Sequence, residues 1–387
     1  MKFLFWWFLL PVLYCYFIYP LLLFLWAGLF PRPVRKGAFD TSVSIIVALC
    51  NEEDVLERKI NNLLSLEFPS QQLEILLGSD GSDDRTNEIL RAVSDPRIKI
   101  FIFPQRRGKV AVLNDLVPEA RGEVLVFTDA RQDFAKEALS QLVRNFADPR
   151  VGCVSGELVL GKSSEPTGKG VNLYWEYEKF LRRCESGIHS MLGATGAIYA
   201  IRRHLYHPPS ANVVLDDMYI PLKIVLEGHR AVFDGDARAY DSVAESPQVE
   251  HARKARTISG NYQIFFLLPG LFNPARSPVA LQMFSHKLLR LVVPFLLIGL
   301  FGVSLRLMFE PFYGMMFFLQ MLFYGLAIAG FLLRRPEFVR LRPLGKLCYV
   351  PYVFCLLNFS ALAGFFRFVR SRQAVTWEKA RAVKDAV

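Results

Sequence analysis

Residues 42–53 read SVSIIVALCNEE. The first eight are a nearly continuous run of β-branched and apolar residues, which predicts a strand at Ser42–Leu49 with both faces buried. The polar residues Asn51, Glu52 and Glu53 follow at once. A strand that is buried on both faces and ends in a polar loop is typical of a parallel sheet covered by helices. This stretch therefore predicts an α/β domain.

The residues that follow alternate between strand and helix patterns. Short apolar runs predict strands, and apolar residues at helical spacing predict helices. The predicted strands are Leu73–Gly78, Ile98–Phe103 and Glu123–Thr128, and the predicted helices are Glu52–Leu66, Asp83–Val93, Lys109–Leu116 and Phe134–Phe146. The expected domain is therefore Rossmann-like, with a mostly parallel sheet.

Polar residues follow each predicted strand. Asp80 comes after the second strand, Lys109 after the third in the run RRGK, and Asp129 and Arg131 after the fourth. In open parallel sheets, ligands bind in the crevice outside the carboxyl ends of the strands. A single Asp in such a place is usually a helix cap. Four polar loops at one edge instead indicate a ligand site.

The residue types in these loops suit a nucleotide. Carboxylates can accept hydrogen bonds from a base and from ribose hydroxyls, and a Gly-Lys pair suits phosphate. An Asp after a buried strand suits a divalent cation that bridges diphosphate oxygens, since Mg²⁺ and Mn²⁺ prefer oxygen ligands. The chain has no GxxxxGK[ST] and no GxGxxG, so the P-loop and dinucleotide-binding interpretations lose their main support.

The composition predicts a mixed protein, with one polar domain and several membrane spans. Hydrophobic residues make up 52% and charged residues 21% of the chain, and the mean hydropathy is +0.25. Residues 3–30 contain no charge, which predicts a membrane anchor rather than a signal peptide, whose apolar core is shorter. Arg32, Arg35 and Lys36 follow, which predicts that the polar domain is cytoplasmic.

Further spans are expected at residues 291–308 and 312–333, because both runs are long and apolar. The last apolar run, residues 347–366, has basic residues on both flanks, which predicts a re-entrant or interfacial segment. His286, Lys287 and Arg290 are expected at the edge of a span. The expected divisions are 1–31 (anchor), 38–250 (α/β domain), 251–290 (interfacial segment), 291–369 (C-terminal membrane region) and 370–387 (basic tail).

The net charge of +10 does not require a nucleic acid partner. Much of the basic excess flanks the expected spans, where topology and anionic lipid account for it, and no nucleic-acid-reading module is present. The cysteines, likewise, do not indicate a metal or redox site. The six cysteines show neither a CxxC pair nor zinc-ligand spacing, so reduced packing residues are expected.

Taken together, these motifs resemble the family 2 glycosyltransferases of the GT-A fold. The resemblance covers about residues 40–265, and the nearest pattern is the membrane-bound branch of cellulose-synthase-like, hyaluronan-synthase-like and poly-N-acetylglucosamine-synthase-like enzymes. It implies that Glu52 and Asp80 contact the base or ribose of a nucleotide sugar. It also implies that Lys109 lies near the phosphates and that Asp129 contacts a divalent cation, Mn²⁺ or Mg²⁺.

The chain departs from the DxD motif of these relatives, because FTDAR places Arg131 where many of them have Asp. Arginine cannot bind a metal, but its planar fork can meet phosphate directly. The metal would then rest on Asp129, the diphosphate and water, with His251 as a further candidate ligand. A structural or solvated histidine is the alternative for His251.

The segment MLGATGAIYAIRR resembles the acceptor side of the family's site. It implies acceptor contacts for Gly193, Thr195 and Gly196, whose small size lets a sugar approach; a tight strand turn is the alternative. The following LDDMY resembles the "ED" motif and implies that Asp217 is the catalytic base, with Asp216 beside the acceptor. Repulsion between adjacent carboxylates can raise one pKa towards that of a general base. Helix N-capping is the competing interpretation.

The segment HARKARTISGN resembles the QxxRW motif near the membrane entrance. It implies that Arg253 and Arg256 hold the diphosphate, although Arg253 stands where relatives have Gln. An interfacial helix that touches lipid headgroups is the alternative. Thr257 follows Arg256, and the Trp that processive relatives carry there is missing, which puts processivity in doubt.

The resemblance implies an inverting enzyme that transfers a sugar from a nucleotide-diphosphate sugar, expected to be a UDP-sugar, to a growing polysaccharide. A single addition to a lipid acceptor, such as a polyprenyl phosphate or a glycolipid, is the first alternative. A transporter with a regulatory domain and a nonenzymatic sugar-binding relative are the others. The expected location is the bacterial inner membrane, with lipid as a further partner and no nucleic acid.

Overall fold

The computed structural model describes residues 1–161, 166–241, 247–333 and 345–370, and the side chains of 166–174, 247–255 and 345–347 are not described. The strands are β1 Val43–Leu49, β2 Leu73–Asp80, β3 Ile98–Phe103, β4 Val124–Phe127, β5 Asp133–Phe134, β6 Val151–Leu160, β7 Tyr199–Arg202 and β8 Arg230–Asp241. The helices are α1 Lys2–Leu13, α2 Tyr19–Leu29, α3 Leu56–Leu64, α4 Thr86–Arg91, α5 Lys109–Glu119, α6 Ala138–Val143, α7 Pro166–Ile188, α8 Asp216–Leu226, α9 Pro247–Leu267, α10 Ala280–Gln282, α11 Leu289–Leu307, α12 Pro311–Leu332 and α13 Gly345–Val369.

In the described residues, eight strands form one sheet in the order β3-β2-β1-β4-β7-β6-β8-β5. The half made of β3, β2, β1 and β4 is parallel, as the sequence predicts. The other half is mixed. Strand β7 runs antiparallel to β4 and β6, β5 runs antiparallel to β8, and β6 and β8 are parallel. The sheet is therefore mixed, and four of its seven neighbouring pairs are parallel, in agreement with the predicted mostly parallel sheet.

Strand β1 is buried on both faces because its residues alternate between two cores. Ile46 and Ala48 pack into the core that contains α5 and α8. Val43, Ile45 and Val47 pack into the opposite core, with α3 and α6. Each fully buried side chain of this kind contributes roughly 1.5–3 kcal/mol. The parallel strands are therefore held firmly, and their carboxyl ends provide fixed positions for the polar loops.

The predicted helix Phe134–Phe146 is shorter than expected. Phe134 lies in β5, and the helix runs only from Ala138 to Val143, followed by a 3₁₀ turn at Arg144–Ala147. The side chain of Asn62 on α3 explains the change at Phe134, because its amide bonds to both the N–H and the carbonyl of that residue. These contacts hold the backbone of Phe134 extended.

Among the described helices, four are long and apolar enough to cross a membrane: Lys2–Leu29, Ala280–Leu307, Pro311–Leu332 and Cys348–Val369. The first contains α1 and α2, joined by a π-helical turn at Tyr14–Ile18 that lies between Pro11 and Pro20. The second begins earlier than the expected residue 291. His286, Lys287 and Arg290 lie in the first part of this 28-residue helix. Their expected place at the edge of a span stays a prediction.

A buried polar cluster joins the α/β domain to these helices. Glu185 on α7 is fully buried, and its Oε1 lies 2.6 Å from His286 Nδ1 and 3.2 Å from the hydroxyl of Tyr19. Glu178, about two helical turns earlier on α7, pairs with Arg290. Paired charges of this kind are the form in which a membrane helix tolerates ionisable groups.

The last apolar run forms the continuous helix α13 rather than a re-entrant loop. Near its beginning, Tyr352 packs on Phe331 at the end of α12. Near its end, Phe368 stacks on Tyr262 of α9, a helix that is bonded to the α/β domain through Gln263 and Val214. Its interfacial placement stays a prediction. All six cysteines lie in described residues and are free.

Candidate active site

Lys109 is the centre of the polar residues at the carboxyl edge of the sheet. Its Nζ lies 2.9 Å from Asp129 Oδ1 and 3.1 Å from Asp216 Oδ2, and only 15% of its side chain is exposed. Lys109 is the first residue of α5, Asp129 follows β4 and Asp216 begins α8. Residues from three separate segments of the chain therefore meet at one ammonium group.

The charges around Lys109 keep it protonated. Burial alone would lower the pKa of its ammonium, but the carboxylates of Asp129, Asp216 and Asp217 outweigh burial and raise this pKa. A fixed positive charge at this edge suits an anionic ligand, and a diphosphate is the ligand that the loop chemistry predicts.

Because Gly196 has no side chain, a gap is left between Asp217 and Asp129. A β-carbon at this residue would lie 3.3 Å from Asp217 Oδ2, 3.4 Å from Asp129 Oδ2 and 3.7 Å from Lys109 Nζ. One oxygen of each carboxylate thus borders the same small space. Of the residues expected to contact an acceptor, Gly196 is the one that the structure brings between these two carboxylates.

Asp217 is oriented by backbone groups. Its Oδ2 accepts a hydrogen bond from the N–H of Gly196 at 3.0 Å, and its own carbonyl accepts one from Ala194 at 2.8 Å. Burial, and then the negative charge of Asp216, raise the pKa of Asp217 to about 6. A carboxylate with a pKa near the working pH is suited to general base catalysis.

Asp216 and Asp217 differ in their surroundings although they are adjacent. Asp216 is 5% exposed and pairs with Lys109, whereas Asp217 is half-buried and faces the gap at Gly196. Leu215 is the N-cap residue of α8, and that cap position makes no side-chain hydrogen bond. The competing interpretation of Asp216 as the helix cap therefore does not hold.

The loop before Lys109 is held by Asp80. This side chain is fully buried, and its two oxygens accept hydrogen bonds from the N–H groups of Arg107 and Gly108 at 2.8 and 2.7 Å. Gly108 has φ +92°, a conformation that favours glycine. Asp80 therefore shapes the loop that presents Lys109, and its expected contact with the base or ribose stays a prediction.

Glu52 and Arg131 lie around the edge of this site. Glu52 is half-buried, and its N–H donates to Thr86 Oγ1 at 2.9 Å. Arg131 is exposed, and its carbonyl accepts a hydrogen bond from Arg58 at 2.8 Å. The expected donor contacts of both residues stay predictions.

Gly193 and Thr195 shape the turn that leads to Gly196. Gly193 has φ +150°, and a β-carbon there would lie 3.4 Å from Met218. Thr195 is 6% exposed, and its N–H donates to Ser155 Oγ at 3.1 Å. A tight turn is what the structure has here, and the acceptor contacts of these two residues stay predictions.

Helix α9 passes beside the start of α8. A β-carbon at Gly260 would lie 2.5 Å from Leu215 Cγ, so the two helices are in close contact. Arg256, about one turn earlier on α9, is exposed. The side chains of Arg253 and His251 lie outside the described residues. The expected role of Arg256 with the diphosphate stays a prediction.

The sequence interpretation missed Lys59, which lies directly behind the Asp129 loop. It is a fully buried lysine on α3, and its Nζ donates hydrogen bonds to Thr128 Oγ1 at 2.9 Å and to the carbonyl of Gln132 at 2.6 Å. The signal was present in the spacing. Leu56, Lys59, Ile60 and Leu63 form the buried face of α3, so a lysine stands where an apolar residue is expected.

Comparison with known proteins identifies this domain. The model of the family "Glycosyl transferase family 2" matches residues 44–206, which hold Glu52, Asp80, Lys109, Asp129 and Gly196. Residues 44–206 are thus similar to the members of glycosyltransferase family 2. The predicted resemblance is thereby confirmed, and the described helices fit its membrane-bound branch.

Two curated relatives of this chain are informative. A poly-β-1,6-N-acetyl-D-glucosamine synthase of Staphylococcus aureus is 23% identical over 256 residues, which cover 63% of this chain and 60% of the relative. The chain therefore spans about three fifths of that relative's length. A β-monoglucosyldiacylglycerol synthase of Trichormus variabilis is 32% identical over 127 residues, 32% of this chain and 27% of the relative.

A solved structure extends the likeness to nearly the whole chain. A mannosyltransferase from Pyrobaculum calidifontis, in complex with GDP-Man and Mn²⁺, superposes with a TM-score of 0.68 at 22% identity, covering 92% of this chain and 96% of the other. At this identity the likeness concerns the fold. It confirms the predicted GT-A domain with flanking apolar helices.

Proposed function

We propose that this glycosyltransferase moves a sugar, with inversion, from a nucleotide-diphosphate sugar to the hydroxyl of a growing polysaccharide at the membrane. One observation carries the proposal. Asp129, Asp217 and Lys109 border the single gap that the missing side chain of Gly196 leaves open. A base, a cation and a diphosphate-side carboxylate are the groups that such a displacement needs within one site.

In this proposal Asp217 acts on the acceptor side of the sugar, and Asp129 acts on the diphosphate side. Asp217 takes the proton of the acceptor hydroxyl, whose oxygen attacks the anomeric carbon as the bond to the diphosphate oxygen breaks. Lys109 stabilises the negative charge that develops on the leaving diphosphate, together with Arg256. Removing one such donor typically costs roughly 3–4 kcal/mol of transition-state stabilisation.

The residues at the gap fit a divalent cation. In the described side chains, no group of three or more His, Cys, Asp or Glu could hold a metal by itself. Asp129 nevertheless directs one oxygen into the gap, and Mg²⁺-type sites commonly combine one or two carboxylates with substrate phosphates. A bound Mn²⁺ or Mg²⁺ would neutralise charge on the diphosphate, with Asp129 as its protein ligand.

The donor's nucleoside is proposed to lie near Glu52 and Asp80, beyond the end of β2. The Asn51 side chain bonds to the N–H of Asp83 at 2.9 Å, so the loops after β1 and β2 form one wall. UDP is the proposed nucleotide. Because the related mannosyltransferase structure contains GDP-Man, guanine nucleotides belong in the same test.

A lipid acceptor is the second candidate. Thr257 follows Arg256, where processive relatives carry Trp, and one relative is a β-monoglucosyldiacylglycerol synthase. A single sugar added to a polyprenyl phosphate or a glycolipid precursor would use the same donor site. The length of the product separates the two candidates.

The proposed location is the bacterial inner membrane, with the glycosyltransferase domain facing the cytoplasm. Four of the described helices are long and apolar enough to cross a membrane. Arg32, Arg35 and Lys36 follow the first of them, and positive residues favour the cytoplasmic side. Nucleotide sugars are found in that compartment, so this orientation matches the proposed donor.

The test is incubation of the purified protein in lipid with labelled UDP- and GDP-sugars, each with and without Mn²⁺. Nucleotide release that depends on one donor supports the proposal, and a polymer ladder on a gel identifies the polysaccharide acceptor. A single shifted lipid band identifies the second candidate. Absence of release from every donor, with a correctly folded protein, contradicts both.

A further inference from the structure

Lys59 is a charged residue in an apolar interior. Its side chain is fully buried, on the same face of α3 as Leu56, Ile60 and Leu63. Its Nζ also lies 4.6 Å above the ring of Phe134. Burial lowers the pKa of its ammonium to about 7, against the opposing charges of Asp129 and Asp133. An apolar residue at this position would avoid that desolvation cost.

The partners of Lys59 enclose the loop that carries Asp129. Thr128 immediately precedes Asp129, and Gln132 ends the same loop. Both accept a hydrogen bond from the one ammonium, at 2.9 and 2.6 Å. The ammonium thereby fixes the two ends of the five-residue segment 128–132, in which Ala130 is buried and Asp129 borders the gap at Gly196.

The same hydrogen bonds extend to the acceptor side. The hydroxyl of Thr128 donates to the carbonyl of Ala197 at 2.8 Å while it accepts from Lys59. Ala197 adjoins Gly196, whose N–H holds Asp217 at 3.0 Å. A buried chain of contacts thus runs from Lys59 through Thr128 to the turn that orients the proposed base.

We propose that Lys59 is a positioning residue for sugar transfer, which holds the 128–132 loop and the Gly196 turn at the spacing that the donor diphosphate requires. The inference rests on the proposed function, because it assigns Lys59 to the same site. Lys59 itself does not touch the reacting atoms. It acts through Thr128, Gln132 and Asp129.

The substitution Lys59→Met tests this role, with Lys99→Met as the matched control. Lys99 lies near the start of β3, at the opposite edge of the sheet, where its Nζ bonds to Glu74 at 2.7 Å. Calorimetry would measure the affinity of each protein for UDP and for GDP, with and without Mn²⁺. The melting temperature and the steady-state constants for donor turnover would be measured beside it.

We expect Lys59→Met to lose most of the Mn²⁺-dependent gain in nucleotide affinity and to reduce kcat about 100-fold, since misplacement of a catalytic group by about 1 Å costs this much. Nucleotide affinity without Mn²⁺ and the melting temperature should resemble those of Lys99→Met. A Lys59→Met protein with the wild-type Mn²⁺-dependent gain and the wild-type kcat would overturn the inference.

Thr128→Val removes the other partner of the Lys59–Thr128 hydrogen bond. It replaces Lys59→Met as the test if that variant does not fold. Removing the hydroxyl should give the same losses, and the double variant should be little worse than either single one, because the two groups act through one contact. Additive losses would contradict the shared role. If the wild-type protein binds neither UDP nor GDP, the proposed function fails; if it binds and both variants match it, only the role of Lys59 fails.

Discussion

Asp217 and Asp129 each place an Oδ2 close to the same point: a β-carbon on residue 196 would lie 3.3 Å from the former and 3.4 Å from the latter. The two residues begin in separate parts of the chain, one in the first turn of α8 and the other after β4. The proposed donor and acceptor roles of the two residues depend on this convergence.

The gap at Gly196 should be sensitive to a single methyl group. Gly196→Ala would place a β-carbon in tight contact with both carboxylates, and we expect kcat/KM to fall about 100-fold because the reacting groups are displaced. Gly270→Ala is the matched control, since its β-carbon would meet only Leu226 at an ordinary 3.7 Å. Equal activity of the two variants in a nucleotide-release assay would contradict the importance of the gap.

The acid limb of the pH profile should belong to Asp217. A general base acts only as a carboxylate, so kcat/KM is lost as pH falls through its pKa, which burial and the charge of Asp216 raise to about 6. Asp216→Asn removes one cause of the raised pKa of Asp217. It should therefore move the acid limb to lower pH, whatever its effect on the maximal kcat/KM. An acid limb near pH 4, or one unmoved by Asp216→Asn, would contradict this assignment.

The parallel half of the fold could be predicted from sequence because its strands are continuous apolar runs. Ile98–Phe103 was predicted with its observed bounds, and Ser42–Leu49 with an error of one residue. Strand β5 could not be predicted in this way. It has two residues, and it exists because Asn62 and β8 bond to its backbone, so its cause lies far away in the sequence.

The same distinction applies to the site. Asp129, Asp217, Lys109 and Gly196 belong to motifs that sequence alone brings to attention. Lys59 does not, because a lysine in an amphipathic helix is ordinarily a solvent-facing residue. Its spacing with Leu56, Ile60 and Leu63 is a weak sign of burial, and the packing of α3 against Phe134 shows it. Likewise, the sequence marks Asp80 as a polar residue after a strand, and the structure supplies the two backbone N–H groups that occupy it.

The buried pair of Glu185 and His286 should stabilise the joint between α7 and the membrane helices. Glu185→Leu would remove the 2.6 Å partner of His286 Nδ1 and leave Glu178, 3.4 Å from Nε2, as the remaining carboxylate. Leaving one buried polar atom without a partner costs about 1–3 kcal/mol. We expect a clearly lower melting temperature in detergent. The double variant with His286→Leu should recover much of the loss.

Glu88→Gln is the control for that measurement, because Glu88 pairs with Arg85 on the surface, where ion pairs contribute little. If Glu185→Leu has the same melting temperature as this control, the Glu185–His286 pair does not stabilise the contact between α7 and the membrane helices. No recovery in the double variant would show that lost packing, rather than the lost partner of His286 Nδ1, is the cause.

The central claim is that Asp217 removes the acceptor's proton in a site whose donor half is independent of it. The most direct measurement compares wild-type protein with Asp217→Asn for two quantities, nucleotide affinity and sugar transfer from the donor that the wild type uses. We predict that affinity changes little while transfer falls by a factor of about 10²–10⁴, the usual contribution of a general base. Transfer at the wild-type rate in Asp217→Asn would contradict the account.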